Sequence, residues 1–123
     1  MKKIIFFLLF LGVGFNSEAG KIPRFKVKTF QTYTKTNSAG TIYSGHTSGY
    51  NSPRKNVAQR DRNHHMNGKE YGPAKLDKSY DNLNDARKRE QQLIDKSGGS
   101  IRSGGSSGNT INAIRKPADQ VKI

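Results

Sequence analysis

Cysteine is absent from the 123-residue chain, and acidic residues are scarce: nine Asp and Glu stand against 22 Lys and Arg. Without cysteine no disulfide staples the fold, so the domain must rest on packing. Apolar residues thin out after the N-terminal stretch, which points to modest stability. The deficit of acids leaves a formal net charge of +13. On so small a body that excess fits a polyanion such as nucleic acid, an anionic membrane surface or an acidic glycan, with plain basic solubility as the alternative.

The long hydrophobic run lies at the start. Met1-Lys2-Lys3 precedes an almost unbroken apolar run at 4–15, and Ser17-Glu18-Ala19 supplies small residues beyond it. The run is too short to span a bilayer comfortably, so the pattern predicts a secretory signal over 1–19, cleaved near Ala19–Gly20. A buried N-terminal helix or an uncleaved anchor is the alternative. Losing Lys2, Lys3 and Glu18 lowers the net charge by only one. Export to the periplasm or medium without disulfides suits a bacterial product.

Residues 20–123 read as one small domain. The stretch 24–35, RFKVKTFQTYTK, alternates as a strand does. Phe25 and Val27 share a face and Phe30 breaks parity, which predicts a bulge or bend between them. Asn37-Ser38-Ala39-Gly40 is turn chemistry, and 41–47 is a second strand, so 24–47 reads as a β-hairpin. Ser52-Pro53 forms a helix start, with the helix expected over 54–66. On it Val57, Arg60 and His64 fall at i, i+3 and i+7, which puts Arg60 and His64 on one face. Residues 69–80 read as polar and irregular. A second helix is expected from Asp81 or Asn82 to Lys96, with Gly98 beyond its end. Its stripe of Leu83, Ala86, Leu93 and Ile94 includes Glu90. The Gly/Ser segment 97–108 reads as a flexible loop. Residues 109–114 are expected to pack Ile111 and Ile114 on the sheet, and the tail from Lys116 to fray. The fold class is therefore α+β: a small antiparallel sheet, the hairpin plus room for a third strand, with helices packed on it.

A carboxylate on an apolar stripe is costly unless it is paired or binds a metal, which singles out Glu90. Arg60 offers a positive field for a phosphate, and a tyrosine or histidine nearby can take a proton from water. Salt pairing of Glu90 with Arg87 or a lysine is the competing reading. His64-His65 raises a zinc site or a His-Me finger, but adjacent helical residues point about 100° apart. His46 reads as an exposed strand histidine. Arg54, Lys55, Arg62, Lys69 and Lys75 are candidate phosphate contacts.

The order of these parts resembles the GIY-YIG endonuclease superfamily, in particular the small nuclease domains of bacterial secreted toxins. Tyr33 stands on the first hairpin strand, and Tyr43-Ser44-Gly45 on the second matches the Tyr-x-Gly motif. Arg60 and His64 follow on the next helix, Glu90 lies in "REQQLID", and "SGNTIN" supplies Asn109 or Asn112. The resemblance implies metal-dependent hydrolysis of phosphodiester bonds, with Tyr33, Tyr43, Arg60, His64, Glu90 and Asn109 at the site. It implies Glu90 as ligand to a divalent metal, Mg²⁺ in the first instance. Nucleic acid, DNA ahead of RNA, would be the substrate, and an inhibitor protein would guard the producing cell. A non-catalytic cationic module that binds DNA, glycan or membrane is the alternative.

Overall fold

The computed structural model describes residues 27–115. The expected signal segment, Phe25 and the tail from Lys116 lie outside the described residues. Among the described residues no helix is long and apolar enough to cross a membrane.

The chain has an α+β fold. Strands β1 (Thr29–Thr36) and β2 (Ile42–Gly49) form the antiparallel hairpin. Asn37 closes its turn: Oδ1 accepts the N–H of Ala39 at 3.0 Å and of Thr41 at 2.9 Å, and Gly40 takes φ +86°. The first strand begins later than expected. Val27 precedes it and is exposed, so no shared Phe25/Val27 face is built into the described sheet. β3 (Lys75–Tyr80) pairs antiparallel with the other side of β1, giving the order β2-β1-β3. The register shift falls between Thr32 and Tyr33 in this β1–β3 pairing, not near Phe30. Residues 75–80 thus form a strand where an irregular segment is expected: KLDKSY carries only Leu76 and Tyr80 as apolar side chains, with Lys78 between them on the same face. Its partner lies some forty residues back, where no local pattern can announce it.

Helix α1 (Pro53–Arg62) starts where expected, with the Ser52 hydroxyl accepting the Lys55 N–H at 3.3 Å. It ends earlier than expected. Asn63 leaves the helical region, and the Asp61 carbonyl accepts from Asn67 Nδ2 at 2.7 Å and from the His64 N–H at 3.3 Å. A 3₁₀ turn (His65–Lys69) follows. Helix α2 (Leu83–Lys96) is capped by Asn82, whose side chain accepts the Asp85 N–H at 2.8 Å. Ala86, Glu90 and Ile94, four residues apart, form its buried stripe, while Leu83 is exposed.

The Gly/Ser segment is not the loose loop its composition suggests. Backbone hydrogen bonds fold it on itself and onto the hairpin: Gly105 N to Ser100 O at 2.7 Å, Ser107 N to Gly99 O at 3.0 Å, and Gly108 N to Ile42 O at 2.8 Å. A Cβ on Gly105 would lie 2.2 Å from the Gly99 carbonyl oxygen, so the glycines permit close backbone packing. Residues 109–114 form neither helix nor strand, and Ile111 is exposed rather than packed on the sheet. This segment is tied to α2 instead: Arg87 donates to Ala113 O, and Gln91 bonds Asn112 Oδ1 and the Ile114 N–H.

Among the described residues the buried apolar side chains are Tyr33, Val57, Met66, Ala86 and Ile94. The remaining interior is polar and largely paired, the Ser44 and Ser100 hydroxyls being exceptions. Asn56 Nδ2 donates to Gln31 Oε1 at 2.9 Å, and buried Lys35 forms an ion pair with Asp61. Burial alone would raise the Asp61 carboxyl, but the Lys35 ammonium and the Ala74 N–H hold it below its ordinary value. Each such pair is a liability if halved, since an orphaned buried polar group costs about 1–3 kcal/mol.

Candidate active site

Alternation along β1 sends Gln31, Tyr33 and Lys35 to the face covered by α1, where their partners are Asn56, His64 and Asp61. Opposite Tyr33 in the register stands Gly45. A Cβ there would lie 2.6 Å from Tyr33 Oη, so the glycine of the Tyr-x-Gly motif makes room for the phenol. Tyr43, two residues before Gly45, shares this face, and its ring meets His64 edge-on at 5.1 Å.

His64 reaches the site by a different route from the expected one. It lies past the end of α1 in extended conformation, as the cap of the 3₁₀ turn, so the i, i+7 relation to Val57 does not place it. Its Nδ1 accepts the Met66 N–H at 3.0 Å. A neutral ring so engaged carries its proton on Nε2, and Nε2 lies 2.6 Å from Tyr33 Oη. The imidazole thus donates to the phenol oxygen, leaving the phenol's own proton for another acceptor. Burial, with the charges of Arg60, His65 and Lys35, lowers the His64 pKa to about 4, so the ring is neutral at pH 7. Outside α1, His64 and His65 do not point about 100° apart: the two rings stack at 4.7 Å and 16°.

Burial raises the Tyr33 phenol well above its ordinary value. Tyr43 and Glu90 add to the shift, and Arg60 opposes it by its charge and a hydrogen bond. Tyr43 is raised by burial and Glu90, with Arg60 again opposing. These influences bring Tyr33, Tyr43, Arg60, His64 and Glu90 into one electrostatic neighbourhood. Among the described residues Arg60 forms no ion pair.

Glu90 is 9% exposed, between Ala86 and Ile94. Its partner is neither Arg87 nor a lysine but His46, whose Nδ1 lies 2.7 Å from Oε1. His46 is therefore not the idle exposed histidine its sequence suggests. Parity carried the missed signal: His46 stands one residue from Gly45 on the opposite face, the side on which Thr32 reaches Asp77 and, through it, Arg89 of α2.

Asn109 is placed beside the motif in a structural role. Its Oδ1 accepts the Ser44 N–H at 2.8 Å and its Nδ2 donates to Ser44 O at 2.7 Å, so the amide imitates a neighbouring strand. It fixes the backbone between Tyr43 and Gly45, and both amide functions are engaged. The expected phosphate contacts do not form one group. Arg54 and Lys75 border a hollow of about 580 Å³ between α1 and β3, whereas Lys69 lines a different cleft beside Tyr43. Lys55 and Arg62 lie on α1.

Among the described residues no three His, Asp or Glu side chains gather to hold a metal. What the site offers is one buried carboxylate, free of lysine and arginine, with His46 against one oxygen. That donor set suits Mg²⁺, which keeps several waters and is held by one or two carboxylates together with substrate phosphate oxygens. Comparison with known proteins returns no match to a family model, a curated protein or a solved structure.

Proposed function

We propose that this protein is a GIY-YIG-like endonuclease that hydrolyses phosphodiester bonds of nucleic acid, DNA in the first instance, with Mg²⁺ as cofactor. The observation that carries the reading is that two phenols share the face of Gly45 with a neutral histidine aimed at one of them, while the charges of Arg60, which has no carboxylate partner among the described residues, and of buried Glu90, held by His46 rather than by a lysine or arginine, act on both phenols. Arg60 supplies the charge that draws a phosphate and stabilises it as negative charge builds. His64 holds Tyr33 Oη in place through Nε2–H. At neutral pH Tyr33 and Tyr43 keep their protons and act as donors to a phosphate oxygen or to the attacking water. Loss of the Tyr33 proton, which Arg60 favours, makes its oxygen the acceptor for a proton of that water. Glu90 would hold the cation, which when bound adds charge stabilisation at the phosphate and the leaving oxygen. The N-terminal sequence suggests export; use as an antagonism toxin, countered in the producing cell by an inhibitor protein, is what the resemblance to secreted nuclease toxins implies.

Digestion of plasmid DNA and of RNA, with Mg²⁺ and then with chelator, tests the reading. The wild-type protein should cut only with metal. Glu90→Gln should lose cleavage by orders of magnitude while its DNA binding persists or tightens. A folded Glu90→Gln protein that cuts at the wild-type rate overturns the assignment. The net charge of +13 favours a second reading, a binding module without catalysis. That protein would retard DNA in a gel and leave it whole under every metal condition.

A further inference from the structure

A cleft of about 590 Å³ opens on the far side of Tyr43, and the chemistry above leaves it unused. Its size lies within the ~300–1,000 Å³ range of ligand pockets. Tyr43, His65, Lys69, Tyr71, Ile101 and Ile111 line it. Tyr43 packs edge-on against His65 at 5.6 Å and Tyr71 at 6.4 Å, and His64 stacks on one face of His65, so the three rings form an aromatic wall without stacking on one another. Ile101 and Ile111 are 53% and 58% exposed, an open apolar surface in a chain with few apolar residues to spare. Lys69 is exposed beside them, and among the described residues no acidic one lines the cleft.

Two other hollows offer charge without rings. Arg54, Asp61 and Lys75 border the one beneath α1, and Arg87, Arg102 and Arg115 the one beside α2. The aromatic cleft combines flat apolar surface, a cation at hand and continuity with the candidate active site through Tyr43. We propose that it holds one unstacked nucleobase of a single strand. The base lies against the Tyr43, His65 and Tyr71 wall, meets Ile101 and Ile111, and has its phosphate on Lys69. A base within a duplex is stacked and paired and cannot enter such a cleft without being extruded. The inference rests on the nuclease reading for its geometry, since the base held is the neighbour of the phosphate at Arg60.

The test uses full-length Glu90→Gln protein in chelator, so that nothing is cut. Anisotropy is read on a short oligothymidine, an oligouridine of equal length, the thymidine strand annealed to its complement, and an abasic oligomer with the same number of phosphates. The base-bearing single strands should bind about tenfold tighter than the abasic one. The duplex should show no such gain, and the thymidine and uridine arms report which sugar is preferred. His65→Ala, and separately Ile111→Ser, should each shrink the gap, while Lys69→Ala weakens all oligomers alike. Equal affinity for abasic and base-bearing strands, or a gap untouched by both cleft variants, overturns the proposal. Cleavage without a base-dependent gap removes this subsite and leaves the nuclease reading; a gap without cleavage does the reverse.

Discussion

At the corner between β3 and α2, Arg89 grips the Asp77 carboxylate through Nε at 2.8 Å and Nη2 at 3.0 Å, and Thr32 donates to the same group at 2.7 Å. Among the described residues, Arg60 meets no carboxylate and Glu90 meets neither lysine nor arginine. The two regions draw on the same residue types. In the first, opposite charges satisfy each other: Arg89 holds the Asp77 carboxyl below its ordinary value, and Asp77 raises Arg89 in turn. That pairing fastens the third strand to the second helix. In the second, the arginine and the carboxylate are held apart from each other, with His46 as the partner of Glu90. Charge is used up in structure at one corner, and in the proposed function it would be kept for phosphate and cation at the other.

Exchanging the arginines is the strongest way to break this comparison. Arg60→Ala should lower cleavage by about 10²–10³, the cost of removing one group that stabilises transition-state charge, with little change in stability. Arg89→Ala should do the opposite, lowering stability by about 2 kcal/mol in denaturant titration while each folded molecule still cuts. If Arg60→Ala unfolds the protein and spares cleavage, the division between the two corners is wrong.

Acid separates the regions next. The folded pKa of His64 is about 4 against an ordinary 6.5, so the unfolded chain takes up a proton first as pH falls. Stability should therefore drop between about pH 6.5 and 4, by up to roughly 3 kcal/mol, and that contribution should level off below. Asp61 and Asp77, both held below their ordinary values, stay ionised in the folded protein through that window, and their loss sets in near its acid end and falls mostly below it. Urea titrations at several pH values should show the first drop, and His64→Gln should flatten it. A wild-type profile that stays flat down to pH 4 would mean that His64 is not held neutral.

A single added methyl group sharpens the candidate-site side. Gly45→Ala puts a methyl group where Tyr33 Oη lies, so the ring must shift. Overpacking of this kind costs about 1–3 kcal/mol, and cleavage should fall with the displaced hydroxyl. Gly68→Ala, with open space around its Cβ position, is the control and should change neither.

Much of this architecture is written locally. Alternation and Asn37-Ser38-Ala39-Gly40 announce the hairpin, Ser52-Pro53 and Asn82 announce the helix starts, and the spacing of Ala86, Glu90 and Ile94 places the carboxylate on the buried face. Tyr33 and Tyr43 could be set near one another because a short turn joins their strands. The expectation for His64 reached the right neighbourhood by a helical period that stops at Arg62. The backbone hydrogen bonds of Asp61 and Met66, not periodicity, deliver and orient that ring.

What the sequence determined by itself is the set of short-range elements and the excess of positive charge, because turn chemistry, capping and periodicity act over a few residues. What only the tertiary structure decided is which distant groups meet. β3 completes the sheet on one side of β1, and Asn109 clamps Ser44 on the free edge of β2. His46, rather than Arg87, answers Glu90, and the Gly/Ser segment is fastened to Ile42. The physical reason is that each of these contacts joins groups more than forty residues apart. Their free energy depends on burial and hydrogen-bond geometry that exist only once the sheet has closed, and neither residue of such a pair carries that information in its own neighbourhood.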